Sequence, residues 1–416
     1  MLSTLGAGTG SASLEPGWTV CRVRLQKLVL SARGLRMFGY GLLSVVLPVH
    51  LTGAGLSPAQ IGLLFTVALA GGAASGALIP SLADRWGRRR VLVVCGGLMT
   101  ISGAVLAQAP GFPLLLTVTA IGLLSPTGQE VGVFQPLEQA ILADATERAT
   151  DVRPYVWYDF TGFLAGAAGG LAAGIGPKIL LTFRTALDPA EALVWAFVGT
   201  GTLLVGIYAL LPPSSPQVQA GSRASGLHRS RGLVLRLTAL FGLDALAGEL
   251  VVQGLVALWF HQRFGLGLEQ LGPIFFGTNL LSALSFPVAA RMARRFGLLP
   301  TMVGTHLPSN VLLALIPFVS SWQVAALVLF ARHILSQMDV PVRRAYTMAL
   351  VAPQERAEAA GLTNAVRNLA AAIAPVFSGI ALQTAAPGLP FVLAGALKSA
   401  YDLVLWYMFR RIPLRA

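Results

Sequence analysis

Charge is what this sequence lacks. Only 11% of its 416 residues are Asp, Glu, Lys or Arg, against the roughly 25% that soluble domains carry. That deficit excludes an ordinary water-facing surface, and a mean hydropathy of +0.71 points to a chain that lives in lipid. Acidic residues are the scarcer kind, 17 against 30 basic ones. In a soluble protein the balance of +13 would suggest nucleic acid. Here the basic residues are spread over separate loops with no interleaved aromatics, so no nucleic-acid partner is expected. Cysteine is nearly absent. Cys21 lies in a polar stretch and Cys95 in an apolar run far away, which excludes a disulfide framework and a cysteine metal site. Five histidines are scattered. No Walker loop, CxxC, HExxH or GxSxG occurs, so neither direct ATP drive nor an enzymatic centre is expected, and no cofactor or metal is called for. The first twenty residues lack a charged segment followed by an apolar one. Residues 1–32 are therefore expected to be a mobile cytoplasmic tail and not a cleaved signal.

What the chain does have is long apolar runs. A helix needs about 20 mostly apolar residues to cross the hydrocarbon core. Twelve runs qualify: 33–52, 58–80, 91–109, 112–134, 155–177 and 191–211 in the first half, then 234–260, 270–290, 298–319, 322–341, 359–384 and 389–409 in the second. Between them, Pro212 to Gly232 is rich in Pro, Ser and Gly and reads as a solvated linker. With the N-terminus inside, 23 of the 30 basic residues fall on inner segments and three, Lys178, Arg184 and Arg263, on outer loops. Arg36, Arg332, Arg367 and Lys398 remain within spans. An asymmetry of that size fixes the orientation with both termini cytoplasmic.

The halves echo each other. Pro136-Leu137-Glu138-Gln139-Ala140 follows span 4, and Pro341-Val342-Arg343-Arg344-Ala345 follows span 10. Glu147-Arg148-Ala149 precedes span 5, and Glu355-Arg356-Ala357 precedes span 11. LADRWG (Leu82 to Gly87) ends span 2, and MARRFG (Met292 to Gly297) ends span 8. Three matches in order at nearly one offset indicate two parallel six-helix units, an architecture in which a solute is handled near the midplane between the units. The expected fold is all-α: twelve transmembrane helices in two pseudo-symmetric bundles, 33–211 and 234–410, joined by a linker over 212–233 and closed by a tail over 411–416.

Pro80-Ser81-Leu82-Ala83-Asp84-Arg85-Trp86-Gly87-Arg88-Arg89 between spans 2 and 3 resembles the signature loop of the major facilitator superfamily. Asp84, Arg85, Gly87, Arg88 and Arg89 match its form and Pro80 replaces its first Gly. The second half also has the texture of a bacterial branch of that family, of uncertain substrate. The resemblance implies a latch between the halves on the cytoplasmic face. Asp84 would sit at the N-terminus of span 11, where the helix dipole favours an anion. Arg88 would pair with Glu138 or Glu130, and Gly87 would permit the tight turn. These contacts would hold in the outward-open state and break in the inward-open one. Arg89 and Arg90 also serve topology. Arg294 stands where Asp84 stands in the first half, so a second latch of the same polarity is not expected.

Ionisable groups inside spans usually face a cavity or a partner. The family resemblance makes spans 1, 4, 7 and 10 the cavity wall, with Arg36, Glu130, Asp244, Glu249, Arg332 and Asp339 on them. Asp159, Asn364 and Arg367 lie on spans 5 and 11. Asp244, near mid-depth, is a proton site or one half of a static pair with Arg332; both readings stay open. Arg36, one turn in, is expected to snorkel. Asp339 is expected to cap or pair locally, and Arg367 to bind an anionic group or to pair across the halves. Lys398 is expected at the lipid interface. His306 and His50 are further proton candidates, with His50 at an outer helix end. Tyr40, Gln129, Gln253 and Asn279 either contact solute or bond helix to helix. The small-residue run Gly162 to Gly174 allows close helix approach. It lacks the Gly-Pro pair of drug–proton antiporters.

The expectation for function is a secondary active transporter of a small organic solute, coupled to H⁺ and working by rocking of the bundles. A drug or metabolite efflux pump of the same fold, or a non-transporting membrane sensor or assembly protein, are the alternatives. The partners expected are the solute, H⁺ and the lipid bilayer of a plasma (bacterial inner) membrane, with the chain a monomer.

Overall fold

The computed structural model describes residues 16–121, 123–130, 132–146, 153–182, 187–213, 230–351 and 355–412. Most of the expected linker, Glu147, Arg148, Arg184 and the last four residues lie outside these. The first half contains α1 (Pro16–Gly53), α2 (Pro58–Trp86), α3 (Arg88–Ala107), α4 (Phe112–Ile121), α5 (Phe134–Asp144), α6 (Arg153–Thr182) and α7 (Pro189–Ala209). The second contains α8 (Arg231–Glu249), α9 (Gln253–Phe264), α10 (Leu268–Phe296), α11 (Leu298–Leu315), α12 (Trp322–Ser336), α13 (Asp339–Leu350), α14 (Arg356–Leu382) and α15 (Leu389–Phe409). Helix α1 starts at Pro16, so the segment expected as tail is helical from there onward. Below, the inner face is the one that carries the arginine-rich loops, and the outer face is its opposite.

Local chemistry sets the helix ends. Ser57 and Gln60 form a reciprocal capping box at the start of α2. Asp188 accepts the backbone N–H groups of Ala190 and Glu191 ahead of Pro189 in α7. The repeated Trp86-Gly87 and Phe296-Gly297 end α2 and α10 in the same way. Both glycines take positive φ, 86° and 90°, a conformation that side chains with a Cβ rarely adopt, and the next helix begins one residue later.

Among the described residues, ten helical stretches are long and apolar enough to cross a membrane, α8 and α9 counting as one. The other two expected spans are split. Span 4 becomes α4 and α5, separated by a non-helical stretch that includes Leu123–Glu130. Hydropathy had read 112–134 as one helix. Pro126 disfavours helix in the residue before it, and Leu123, Gly128 and Gly132 take φ of 52°, 68° and 92°. Span 10 turns at Gln337–Met338 into α13. Span 7 is interrupted over Leu250–Val252. Irregular backbone at membrane depth survives only where protein groups or water satisfy it. Here the Tyr40 hydroxyl donates to Leu123 O at 2.8 Å, Ser125 to Gln129 O at 2.6 Å and Ser378 to Leu250 O at 2.7 Å. Gly254 N donates to Pro126 O at 3.1 Å, tying the break in span 4 to the break in span 7.

Within the first half, α1 and α6 cross so closely that a Cβ on Gly41 or Gly169 would overlap the carbonyl oxygen of Gly166 or Phe38. Two seams join the halves. In the first, α2 meets α14, where a Cβ on Gly62 would come within 2.6 Å of Pro375 O. In the second, α6 meets α10, where a Cβ on Gly174 would come within 2.8 Å of Pro273 Cδ. Val376 N donates to Thr66 at 3.0 Å, and Lys178 pairs with Glu269 at 3.4 Å. All of these lie in the outer part of the molecule. The α6–α10 seam ends inward at Phe163 and Phe286, whose rings meet edge to face with centroids 5.0 Å apart. Large apolar side chains such as Leu78, Ile101, Leu181, Leu203 and Leu327 are exposed on the outside of the bundle, where lipid replaces water.

Candidate functional site

Three polar clusters lie inside the spans. The first is in the N-terminal half and centres on Arg36, which is fully buried. Its guanidinium donates to Glu138 at 2.7 and 2.8 Å, to Glu130 at 2.9 Å and to the Tyr208 hydroxyl at 2.7 Å. Tyr158 and Tyr208 each donate to Glu138 at 2.6 Å. Arg33 pairs with Glu130 and lies over the Tyr158 ring, and Arg36 lies over Phe134. These side chains come from α1, α5, α6 and α7 and from the break in span 4. One expectation is overturned. Arg36 does not snorkel, because two carboxylates hold it inward. Glu138 faces the bundle interior here, and the expected latch contact with Arg88 is not made in this state. Arg88 instead pairs with Asp144 at 2.5 Å.

The second cluster is in the C-terminal half. Three cations converge on Asp244 of α8: Lys398 of α15 at 2.6 Å, Arg343 of α13 at 2.7 Å and Arg367 of α14 at 3.3 Å. Arg343 also pairs with Asp339 one turn away at 3.0 Å. Arg367 donates to Phe241 O at 3.3 Å, and its side chain is 25% exposed. Lys398 is a second correction: it is 7% exposed and committed to Asp244, not to a lipid interface. A third concerns Arg332. It makes no bond to Asp244; Nη1 lies 3.5 Å from His333, and its buried Nε has no partner. One Oε of Glu249 is likewise buried without a partner. Behind Asp244, His306 of α11 stands with Nδ1 3.0 Å from both Asp402 oxygens and Nε2 3.9 Å from Asp244. Asn310 donates to Asp402 at 2.8 Å.

Spans 1 and 4 are thus joined by Arg36–Glu138, and spans 7 and 10 by Asp244–Arg343. Glu138 and Arg343 occupy the same place in the repeated Pro-x-x-x-Ala segment. The two halves carry the same kind of bond with the charges exchanged.

The third cluster joins the halves at the helix breaks. Gln253 donates to Ser44 at 2.8 Å and accepts from Asn279 at 3.4 Å. Gln129, beside Glu130 in the broken span 4, is exposed. On the inner face, Asp84 is half-buried and makes no hydrogen bond or ion pair among the described residues, while Gly87 is buried and Arg85 and Arg90 are exposed. Arg89 is partly exposed at the start of α3. His50 lies 3.0 Å from Leu106 O. Among the described residues no group of His, Cys, Asp and Glu is arranged to hold a metal ion.

Several participants were not picked out in the sequence. Tyr158 and Tyr208 carried no signal beyond being tyrosines in apolar runs. Asp402 did carry one: with Lys398 it makes an acidic and a basic residue one turn apart in an apolar helix, sharing a face, which marks an inward-facing polar stripe. Arg343 was counted as an inner-loop residue because α13 could not be distinguished from loop.

This architecture is that of a membrane transporter. The chain matches the Major Facilitator Superfamily over residues 29–375 and belongs to it. The uncharacterized membrane protein YJR124C of Saccharomyces cerevisiae is 26% identical over 426 residues, covering 94% of this chain and 95% of that protein. Among solved structures, a bacterial homolog of the human lysosomal transporter Spinster, inward-facing and occupied, superposes with a TM-score of 0.73 at 16% identity, covering 94% of this chain and 98% of that one. The nucleoside transporter NupG gives 0.71 at 13% identity, covering 94% and 99%. At these identities the structural likeness shows the fold. The protein is a multi-pass integral membrane protein and a transporter, not an enzyme.

Proposed function

We propose that the protein moves a small organic solute together with a proton, as a monomer in a plasma membrane with both termini in the cytosol, by rocking its halves about the helix breaks. The observation that carries this is the asymmetry of the contacts between halves. Glycine seams and the Gln253–Ser44 bond close the outer side, while Asp84, the acid of the inner-face loop, has no hydrogen-bond or ion-pair partner among the described residues. That arrangement suits a state open to the inner face, in which solute reaches the breaks of spans 4 and 7. Discontinuous helices are where transporters of this kind bind their cargo, because interrupted backbone offers hydrogen-bonding groups at the midplane. The buried acids and bases of the second cluster suit proton coupling, since a passive scaffold has no need of ionisable groups in lipid.

The test is flux in proteoliposomes loaded with a pH-sensitive dye, challenged with nucleosides, pentoses and small carboxylates. A solute-dependent change in lumenal pH supports proton-coupled transport. Movement of labelled solute without a pH change would leave facilitated transport. No movement of any solute across a broad panel would remove the proposal.

A further inference from the structure

We propose that His306, held between Asp402 and Asp244, is the group that takes up and gives back the coupled proton, so that the proton site lies behind the wall of the solute path. The proposal rests on the reading of the protein as proton-coupled and assigns that function to a residue.

His306 lies on α11, and Asp402 and Lys398 on α15. These helices pack on each other, and α15 also packs on α8; neither takes part in the two seams between the halves. Helices whose task is scaffolding have no structural use for an imidazole, a carboxylate and an ammonium in apolar surroundings, where each is costly to bury. The equivalent region of the first half shows the plainer solution. There Glu138 is closed off by two tyrosine hydroxyls, and the cluster continues only from Arg36 to Glu130 and Arg33, with no histidine in it among the described residues.

The geometry gives the imidazole one saturated side and one open side. Nδ1 is at hydrogen-bond distance from Asp402, whose position Asn310 fixes. A ring that donates from Nδ1 has a bare Nε2 when neutral. That nitrogen points toward Asp244 at 3.9 Å, too far for a hydrogen bond but close enough to form one with a small shift. Adding a proton at Nε2 turns the ring from neutral to +1 between two carboxylates, and no other bond is made or broken.

The consequence falls on Asp244. Its Oδ1, the oxygen that faces His306, holds Lys398, and its Oδ2 holds Arg343 and Arg367. A fourth positive partner weakens the hold on the others, and the loosest is Arg367, at 3.3 Å and with a quarter of its side chain exposed. Arg367 is also the cluster's route to water. Arg343 keeps a second acid in Asp339, whereas Lys398 shares Oδ1 with the incoming charge and competes with it directly. The Tyr401 ring meets His306 edge-on, with centroids 6.0 Å apart. Arg332 of α12 bonds neither His306 nor its partners. Proton uptake at His306 thus loosens the hold of Asp244 on Lys398 and on Arg367, the latter on α14, the helix that forms the α2 seam.

The test begins without a solute. The full-length protein in detergent, labelled with ¹⁵N-histidine, has five histidines, and the His306 signal is the one lost in His306→Gln. We expect that signal to show both the Nδ1–H tautomer and the imidazolium, and Asp402→Asn to change the balance between them. A signal fixed in one state overturns the proposal. If His306→Gln does not fold, Asp402→Asn and selective His306 labelling carry the same test. In dye-loaded proteoliposomes, His306→Gln is expected to abolish the solute-dependent pH change, with His333→Gln as control. Full proton flux in His306→Gln overturns the site and leaves proton-coupled transport standing. A protonatable His306 in a protein that moves no protons removes the proton-coupled reading and with it the coupling role of His306.

Discussion

Take away the carboxylate of Glu138 and Arg36 is left buried with Glu130 as its remaining acid, while Tyr158 and Tyr208 lose their acceptor. Breaking a buried ion pair from one side costs about 3–5 kcal/mol, whereas replacing both members by apolar groups of similar volume is often near neutral. We therefore expect Glu138→Leu to lower the thermal midpoint in detergent sharply, and Arg36→Met with Glu138→Leu to recover much of the loss. Equal destabilisation by the single and double variants would show that Arg36 takes its hold elsewhere. The same logic applies to Asp244, with more at stake. Asp244→Asn removes the anion from three cations, so its loss of stability should exceed that of Lys398→Met, which deletes one cation and leaves the acid with Arg343 and Arg367.

At the scale of elements, the seams depend on having no side chain. A Cβ on Gly272 would overlap Gly174, and one on Gly379 would overlap Pro58 O. Backbone cannot yield there as a flexible side chain would. Gly272→Leu and Gly379→Leu should therefore prevent outer closure and bias the protein toward the state open on the outer face. The measurement is thiol labelling of single cysteines placed along α9 and the outer half of α1, which should become faster in either variant. Unchanged labelling would mean the seams open and close independently of the glycines. The breaks follow a different rule. The Ser-Pro-Thr-Gly sequence at 125–128 is a turn signal inside a strongly apolar run, and turn chemistry prevails because Tyr40, Ser125 and Gly254 take up the freed backbone groups.

For the whole molecule, Asp84, which bonds to none of the described residues, matters most. If it docks on α14 when the inner face closes, Asp84→Asn weakens that state and leaves the inward-facing one favoured. Distances between spin labels on the inner ends of α2 and α14 should then collapse to the long population alone, while the wild type shows two. A single population in both proteins would separate Asp84 from the switch. Orientation has its own check: a cysteine at position 89 should resist an impermeant reagent added outside intact cells, and one at position 178 should react.

Most of the fold was open to inspection in the sequence. Apolar runs, the bias of arginines to one side, the repeated Pro-x-x-x-Ala segment and the Asp84 loop each follow from composition or short-range order along the chain, and together they dictate a two-half helical membrane protein. The partners of its buried charges were not open in that way. Arg36 finds Glu138 a hundred residues away, and Asp244 finds Lys398 still further off, because helix packing brings them together. A hydropathy trace records that a charge lies in an apolar run but not which neighbouring helix carries its counter-charge. Only the tertiary structure decided that Arg36 is held inward, that Lys398 is no lipid anchor and that His306 stands between two aspartates. In lipid a buried charge goes where its partner is, and that place is fixed by the crossing of helices distant in sequence.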